Sequence, residues 1–277
     1  MAFASHNPQR YDIGEDCFAL YHSESHSFEV FLGSERVPFF SAEVVDKMLG
    51  GMTKIAHGEL DCSSALHFFV LRSAFPGIFN LGADLDLFHS LAAEKNRDEL
   101  RLYADKCVDL IHHLSHGINN AITTVALVEG KCFGGGFEAV LACDYLIASE
   151  SALFSFPEIK LGIFPGMGAA SVMSRVLNKG DYQRIFLSGE MFSAQQLFDM
   201  GLVSQLVPDG QGEAVLRQFL KRMNSAACYQ LSAIYKYNKR LPVSELRFFA
   251  EQWVEGVMDL TRRQLALIAY AATQQRE

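Results

Sequence analysis

The sequence predicts an α/β fold with a parallel sheet. Short β-rich segments, loops and helical segments recur in that order over the first 165 residues, as in proteins whose strands are each followed by a helix that packs on the sheet. Residues 65–71 are apolar apart from His67, which is typical of a strand buried on both faces. With 277 residues, 49% of them hydrophobic, the chain can form one large domain or a domain with an appended subdomain.

The individual elements follow from hydrophobic periodicity and from the positions of glycine and proline. Strands are predicted at residues 18–22, 28–32, 65–71, 123–128 and 145–148. Helices are predicted at residues 42–55, 85–116 with a break near 95–98, 137–143, 166–177, 182–187, 194–200, 213–224 and 244–273. A loop is expected at residues 75–84, and Ser41 is expected to cap the first helix. The helical C-terminal third indicates an assembly and lid region.

Composition excludes several classes of protein. No apolar segment is long enough to span a bilayer, because Arg72 interrupts the longest candidate, residues 65–79. Residues 1–16 contain no apolar core of a signal peptide, so a cytoplasmic location is expected. The six cysteines lack CxxC spacing and predict small buried side chains rather than disulfides or a zinc site.

The charge of the chain argues against nucleic acid as a partner. The net charge is -8 and no run of five basic residues occurs. Two local basic clusters are candidates for contact with an acidic carrier or a phosphate; they are Arg217, Lys221 and Arg222, and Lys236, Lys239 and Arg240. The alternative is that each cluster is a solvated helix face.

Two glutamates, Glu138 and Glu158, are the strongest indication of chemistry. Glu138 follows a triple glycine, and Glu158 follows Pro157 in a segment with further glycines. A helix end, a short strand and a return loop between them can bring both carboxylates into one cleft. There, one carboxylate can remove a proton while the other, kept protonated by burial and repulsion, delivers one. The alternative is that both glutamates are solvated.

Two glycine-containing loops are candidates for binding a developing anion. Residues 80–84 and residues 134–136 each precede a predicted helix, so their backbone N–H groups can point at one oxygen atom. The alternative is that Gly82 closes a turn and that the triple glycine allows close packing of a helix on a strand. Neither loop has the spacing of a P-loop or of a dinucleotide-binding motif.

These segments together resemble the crotonase superfamily, which contains the enoyl-CoA hydratases and isomerases. The resemblance covers most of the chain and is carried by Gly82-Ala83-Asp84, Gly134-Gly135-Gly136-Phe137-Glu138, Asp144, Pro157-Glu158, Gly162 and Pro165-Gly166. It implies repeated ββα units in a spiral core and C-terminal helices that form trimers. It also implies that the N–H groups of Ala83 and Gly135 bind a thioester carbonyl and that Glu138 and Glu158 move protons at the β and α carbons.

Within this superfamily the chain is more similar to bacterial synthases of diffusible signal factor, which make cis-2-unsaturated fatty acids for quorum sensing. The similar segments are residues 79–82, 136–139 and 164–169. The segment before Gly82 lacks the lysine that is frequent where the adenine of coenzyme A lies. An acyl carrier protein is therefore the expected carrier, with coenzyme A as the alternative.

The resemblance implies dehydration of a 3-hydroxyacyl thioester to a cis-2-enoyl thioester, followed by hydrolysis to the free acid. Glu158 would remove the α proton and Glu138 would protonate the leaving hydroxyl, although the two roles can be exchanged. A general enoyl-CoA hydratase or isomerase of fatty-acid metabolism is the alternative. Gly82 and Gly134 are expected to contact the substrate.

A long acyl chain requires an apolar pocket. Trp253 matches a tryptophan that lines this pocket in the signal synthases, although it is equally suited to anchor the C-terminal helix. Further pocket candidates are Leu85, Phe88, Leu141 and Met167, for each of which the alternative is an ordinary core position.

Other types of site are disfavoured. His112, His113 and His116 share a helix face, but no HExxH glutamate accompanies them, so solvated histidines are predicted and neither metal nor cofactor is expected. The GxSxG motif of serine hydrolases is missing. An inactive crotonase-fold protein that acts as an interaction partner is a further possibility, against which the retention of both glutamates argues.

The predicted organisation has two parts. Residues 1–195 form the spiral core with the active site, and residues 196–277 form a helical region for oligomerisation and closure of the acyl pocket. A homotrimer or a dimer of trimers is expected, together with a regulatory sensor protein as a further partner.

Overall fold

The computed structural model describes residues 8–14 and 16–276, apart from the side chain of Arg276. The residues that bear on a leader peptide, 1–7, lie outside the described residues. The strands are β1 (Gln9–Gly14), β2 (Cys17–His22), β3 (Ser27–Leu32), β4 (Phe68–Ser73), β5 (Gly77–Asn80), β6 (Thr123–Val128), β7 (Gly130–Phe133), β8 (Tyr145–Ser149), β9 (Leu153–Ser155), β10 (Met191–Ser193) and β11 (Gln205–Val207).

Helices follow most of the strands. They are α1 (Ala42–Ala56), α2 (Leu85–Ala93), α3 (Arg97–Asn120), α4 (Gly135–Ala142), α5 (Glu158–Leu161), α6 (Ala169–Val176), α7 (Lys179–Ser188), α8 (Ala194–Asp199), α9 (Gly212–Met223), α10 (Ala226–Lys239), α11 (Val243–Met258) and α12 (Arg262–Arg276). Repeated strand pairs followed by a helix give the α/β crotonase fold, so the predicted fold class is confirmed.

The strands form two sheets. The larger sheet has seven strands in the order β1-β2-β3-β4-β6-β8-β11, in which β1, β2 and β3 are antiparallel and the remaining neighbours are parallel. The smaller sheet has the order β10-β9-β7-β5, with β5, β7 and β9 parallel and β10 antiparallel. The predicted parallel arrangement is therefore correct for most of both sheets and wrong at one edge of each, where β1, β2 and β3 and the pair β9 and β10 are antiparallel.

Both faces of the larger sheet are buried. One face contributes to the main core, and the other packs Phe68, Val125 and Ile147 against Leu216 and Phe219 of α9. A strand that is covered on both faces is apolar along its whole length. This double burial explains why β4 and β6 could be predicted from the sequence alone.

The helix caps agree with the sequence. The Ser41 hydroxyl accepts the Val44 N–H at 3.2 Å, as predicted. The predicted break near residues 95–98 is also present, because α2 ends at Ala93 and Asn96 caps the start of α3. A capping side chain replaces a hydrogen-bond acceptor that the first turn of a helix lacks.

Several predicted elements were wrong in extent. The strand predicted at residues 65–71 begins at Phe68, since Ser63–Ala65 form a short 3-10 turn. The predicted loop at residues 75–84 contains β5, and the predicted helix at residues 244–273 is two helices with a turn at residues 259–261. Strands β1, β5, β7, β9, β10 and β11 and helices α5 and α10 were not predicted.

Helix α10 is inverted with respect to ordinary amphipathic helices. Its buried residues are polar, namely Ser232 and Lys236, whereas Leu231 and Ile234 are exposed. Lys236 donates to the Ile122 carbonyl and pairs with Asp144 at 3.2 Å. Pattern analysis assigns apolar residues to the buried face of a helix, so it does not detect a helix such as α10 that packs on the protein through polar side chains.

Two negative predictions can be compared with the structure. Within the described part of the chain, no helix is long and apolar enough to cross a bilayer. All six cysteines lie in that part and are free, and Cys17, Cys62, Cys107 and Cys132 are buried. The prediction of small buried thiols is therefore confirmed for most of them.

Candidate active site

Three neighbouring strands of the smaller sheet lead into the candidate site. β5, β7 and β9 run parallel, and beyond their carboxyl ends lie Ala83, Gly135 and Glu158 respectively. Adjacent strands are separated by about 4.8 Å. Segments that are far apart in the sequence therefore leave the sheet side by side, and the predicted groups converge on one cavity.

The two glycine-containing loops approach each other closely. Gly82 has φ +94°, and a methyl group placed on it would lie 3.2 Å from the Gly135 nitrogen. A methyl group on Gly135 would lie 3.6 Å from the Ala83 nitrogen. Gly135 is the first residue of α4, so its N–H has no acceptor within the helix. The N–H groups of Ala83 and Gly135 thus form a suitable pair of donors for one oxygen atom.

Gly134 makes room for Glu158. It has φ +52°, a conformation that favours glycine, and a methyl group there would lie 2.6 Å from the Glu158 Oε1 atom. The triple glycine therefore serves two purposes, since Gly134 accommodates the carboxylate and Gly135 contributes an N–H group. Gly136 packs against Asn80, where a methyl group would lie 2.7 Å from Oδ1.

Glu138 is held by the loop that precedes α6. Its Oε2 atom accepts the N–H groups of Met167 at 2.8 Å and of Ala169 at 2.9 Å, and the residue is buried. Burial raises the pKa of Glu138 to about 7, while these backbone hydrogen bonds oppose the rise. The two donors fix the carboxylate and favour its ionised form.

Glu158 has the opposite environment. It begins the short helix α5, and its Oε2 atom is inaccessible to solvent and has no hydrogen-bond partner among the described residues. Burial raises the pKa of Glu158 to about 8, and repulsion from Glu138 adds to the rise. In a cavity with one proton to share, we expect Glu158 to hold it and Glu138 to be ionised, because Glu138 Oε2 accepts two backbone N–H groups and Glu158 Oε2 accepts none from the described residues.

The cavity contains nearly all of the predicted site residues. It has about 630 Å³ of empty space, including its mouth, and is lined by Gly82, Ala83, Leu85, Phe88, Gly134, Gly135, Glu138, Glu158, Met167 and Trp253. Leu141 is not among its lining residues. Three positions after Glu138 on α4, Leu141 instead faces Val172 and Val176 near α6.

The comparison with known proteins gives a clear result. A sequence model of the enoyl-CoA hydratase/isomerase family matches residues 40–275. The chain belongs to the enoyl-CoA hydratase/isomerase family. The family name includes two reactions, hydration and isomerisation of enoyl-CoA thioesters.

Individual relatives of this family agree with the assignment. A probable enoyl-CoA hydratase of Rhizobium meliloti is 32% identical over 67% of this chain and 70% of its own length. The mitochondrial methylglutaconyl-CoA hydratase of Mus musculus is 29% identical over 69% of this chain. The match spans only 58% of that mouse enzyme. Of these two proteins, neither is described as a signal synthase.

The fold comparison is more extensive than the sequence comparison. The human mitochondrial delta3-delta2-enoyl-CoA isomerase superimposes with a TM-score of 0.78, covering 95% of this chain and 100% of the isomerase. Sequence identity in that alignment is 17%. This similarity shows that the enoyl-CoA hydratase/isomerase fold extends over nearly the whole chain.

Other members of the cavity were missed by the sequence analysis. Tyr103 and Cys107 of α3 line it, as do Leu161 and Phe164 near α5. The Tyr103 hydroxyl donates to the Phe40 carbonyl at 2.6 Å, and burial raises the pKa of the Cys107 thiol to about 12. The four-residue spacing of Tyr103 and Cys107 places both on one face of α3 and could have indicated the cavity, but the same spacing also fits an ordinary core helix.

Asp144 belongs to the resembling sequence segments but lies outside the lining of this cavity. The Asp144 carboxylate accepts the Thr124 N–H at 2.8 Å and the Thr124 hydroxyl at 3.1 Å, and it pairs with Lys236. Burial raises the pKa of Asp144. Its contacts indicate a structural role in joining β6, β8 and α10.

The described residues contain no candidate metal centre. Within residues 8–14 and 16–276, no group of three His, Cys, Asp or Glu side chains is placed to hold a metal ion. The rings of His112 and His116 stack with centroids 4.0 Å apart. Burial lowers the pKa of His116 to about 4, so its ring is neutral at physiological pH.

The paired carboxylates predict a bell-shaped dependence of kcat/KM on pH. Activity requires one ionised and one protonated carboxyl group, and burial raises the pKa of Glu138 to about 7 and the pKa of Glu158 to about 8. Activity should rise as the first group loses its proton and fall as the second does. Initial rates over pH 5–10 in buffers of constant ionic strength would test this, and a rate that is flat over the range would contradict it.

Proposed function

We propose that this chain catalyses the reversible addition of water to a 2-enoyl-CoA thioester. The observation that carries the proposal is the asymmetry of the two carboxylates, because Glu138 Oε2 accepts two backbone N–H groups and Glu158 Oε2 has no hydrogen-bond partner among the residues that the structure describes. An ionised Glu138 and a protonated Glu158 are the states that hydration requires. The coenzyme A carrier is supported by family membership.

The hydration step follows from these states. Ionised Glu138 takes a proton from water as the water oxygen bonds to the β carbon. The electron pair of the double bond moves towards the thioester oxygen, where the N–H groups of Ala83 and Gly135 stabilise the negative charge. When the enolate collapses, the α carbon takes the proton of Glu158. Water has then been added across the double bond, and the proton has moved from Glu158 to Glu138.

Dehydration is the same path in reverse. It begins with the proton on Glu138, so that Glu158 removes the α proton and Glu138 protonates the departing hydroxyl. These are the roles that the resemblance implied. The structure differs from that assignment only in the resting position of the proton, which favours the hydration direction as the starting state.

The test is an assay of both directions with purified protein. Incubation with a trans-2-enoyl-CoA should decrease the absorbance of the conjugated thioester and give the 3-hydroxyacyl-CoA. In heavy water, one deuterium should appear at the α carbon, because Glu158 exchanges its proton with solvent. Conversion of a 3-enoyl-CoA to a 2-enoyl-CoA with no hydration would show an isomerase and overturn the proposal.

A second candidate is synthesis of a cis-2-unsaturated fatty acid from a 3-hydroxyacyl carrier-protein thioester. The resemblance of residues 79–82, 136–139 and 164–169 to the signal synthases favours it, as does the absence of a lysine before Gly82. This candidate adds hydrolysis of the thioester, in which a water oxygen bonds to the carbonyl carbon and the carrier thiol leaves. Mass spectrometry should detect free cis-2-enoic acid from the 3-hydroxyacyl carrier protein; its absence, with hydration intact, would exclude this candidate.

The acyl specificity is proposed to depend on Trp253. Its ring packs edge-to-face on Phe88 with centroids 4.7 Å apart, and both residues line the cavity. Gly166 lies directly against the indole, so a side chain there would displace it.

Replacing Trp253 by alanine should shift the preferred acyl chain to longer substrates. Removal of the indole extends the apolar cavity and removes contacts to short chains. We expect kcat/KM for four-carbon substrates to fall about 10-fold relative to that for substrates of ten or more carbons. A chain-length series of enoyl-CoA substrates measures this ratio, and Trp253→Phe, which retains an aromatic ring, is the control. An unchanged ratio would contradict the role.

The organisation and partners are part of the same proposal. We propose residues 1–195 as the core and residues 196–277 as the helical region, although β11 of the second part completes the larger sheet of the first. A homotrimer, or a dimer of trimers, in the cytoplasm is proposed on the basis of the resemblance. A regulatory sensor protein remains a proposal that size-exclusion and pull-down experiments can test.

A further inference from the structure

The loop that presents Ala83 is held by two amide side chains. Asn80 is buried, and its Oδ1 atom accepts the Gly82 N–H at 2.8 Å. Gln275, near the end of α12, contacts the same loop although it lies about 190 residues later in the sequence. Its Nε2 atom donates to the carbonyls of Leu81 at 3.2 Å and Ala83 at 2.8 Å.

Gln275 completes the hydrogen bonding of this loop. Its Oε1 atom accepts the N–H of Leu85 at 3.4 Å, while Leu81 donates to the Pro38 carbonyl and the Gly82 carbonyl accepts from Phe40. Among the hydrogen bonds found for the described residues, none uses the N–H of Ala83. The backbone groups on either side of Ala83 are thus held by hydrogen bonds, and the Ala83 N–H is left to bind a ligand.

The same helix also contacts the segment that carries Glu158. Gln264, at the start of α12, lies against Gly162, the residue that ends α5. Gln264 and Gln275 are eleven residues apart, which is about three helical turns, so both lie on one face of α12. Helix α12 therefore bridges the two parts of the site that bind the carbonyl and move the α proton.

We propose that Gln275 is a positioning residue that orients the Ala83 N–H towards the thioester oxygen. Peptide groups are planar, so the Gly82 carbonyl, which accepts from Phe40, and the Ala83 N–H turn together. On the other side of Ala83, its carbonyl is held by Gln275. Two donors from one buried amide prevent the loop from rotating. This inference rests on the proposed function, since it concerns the donor used in that reaction.

Replacing Gln275 by methionine should lower kcat and leave KM nearly unchanged. Methionine has a similar length and makes no comparable hydrogen bonds, so the loop remains covered but is free to turn. Loss of a complete oxyanion donor reduces kcat about 10²–10³-fold, and a misaligned donor should reduce it about 10- to 100-fold. The effect falls on kcat because the charge on the oxygen is largest in the transition state.

A spectroscopic probe separates positioning from general stability. A dimethylaminocinnamoyl-CoA thioester absorbs at longer wavelength when hydrogen bonds polarise its carbonyl. We expect a clear shift to longer wavelength on binding to the wild-type protein and a smaller shift on binding to Gln275→Met. Ile268→Val is the matched control, because Ile268 is buried on α12 but is not among the residues that bond to the loop; it should lower Tm and leave the shift unchanged.

The outcomes are distinguishable. A full shift and full kcat in Gln275→Met would overturn the role of Gln275 and leave the proposed function intact. No shift with wild-type protein would overturn both, since Ala83 would then not act as a donor. If Gln275→Met does not fold, Gln275→Glu provides the test, because it keeps an acceptor for Leu85 and loses both donors to the carbonyls; an undiminished shift in this variant would overturn the role.

Discussion

Replacing Glu158 by glutamine is expected to reduce hydration about 10³-fold or more and to stabilise the protein at alkaline pH. The amide has the size of the carboxyl group but cannot transfer a proton to the α carbon, and general acid–base catalysis contributes about 10²–10⁴-fold. Glu138→Gln should lose activity to a similar degree, because an amide cannot take the proton of water. Steady-state rates with a 2-enoyl-CoA measure both losses.

The stability change has a predictable sign. Burial raises the pKa of Glu158 from its ordinary value of 4.5 to about 8, so the folded state binds this proton more tightly than the unfolded state. The stability that this binding contributes is complete below pH 4.5 and is lost as the pH rises through about 8. Glutamine does not ionise, so Glu158→Gln should raise Tm by several degrees at pH 9 and much less at pH 5.

An exposed glutamate provides the control for these two substitutions. Glu150 is exposed at the start of the turn after β8, and Glu150→Gln should change neither activity nor the dependence of Tm on pH. Retained turnover in both active-site variants would show that the carboxylates are not catalytic. Absence of turnover in the wild-type protein would favour the alternative of an inactive crotonase-fold interaction protein.

Replacing Gly135 by proline should reduce kcat about 10²–10³-fold by removing one oxyanion donor. Proline has no N–H and is well tolerated at the first position of a helix, which is where Gly135 lies in α4. The substitution therefore removes the proposed donor at the position in the helix where proline disturbs the backbone least. Initial rates, together with circular dichroism to confirm helix content, measure the effect.

Gly135→Ala is the matched control for the proline variant. A methyl group at this position would lie 2.9 Å from the Met167 sulfur, which lies near the end of a flexible side chain and can move. Alanine thus adds comparable bulk next to the cavity and keeps the N–H group. If alanine and proline reduce kcat equally, crowding rather than loss of a donor is responsible, and the oxyanion assignment is wrong.

The groups that converge in the cavity could be predicted because their signals are local. Glycines that allow close approach, a Pro-Glu pair and the starts of helices are visible in the sequence around Ala83, Gly135 and Glu158. Leu141 was chosen on proximity to Glu138 alone, and the structure places it near α6. Tyr103 and Gln275 depend on how α3 and α12 pack, which no local pattern records.

The same distinction applies to the fold. Strands buried on both faces, such as β4 and β6, have long apolar runs. The predicted bounds of β6 are the observed ones, and those of β4 differ by three residues at its start and two at its end. Strands β9 and β10 have three residues each, too few for a recognisable period. Helix α10 was missed for a different reason, since Lys236 and Ser232 occupy the face that pattern analysis assigns to apolar residues.

The hydrogen bonds of Gln275 also have a consequence for the order of folding. They join residues that are 190 to 194 positions apart, so the loop at residues 81–85 is completed only after the chain has been synthesised almost to residue 275. Contacts of such long range form late, because the intervening chain must first be ordered. A newly made molecule should therefore form its hydrophobic core before it becomes active. Mild denaturant should abolish activity at a lower concentration than it unfolds the core.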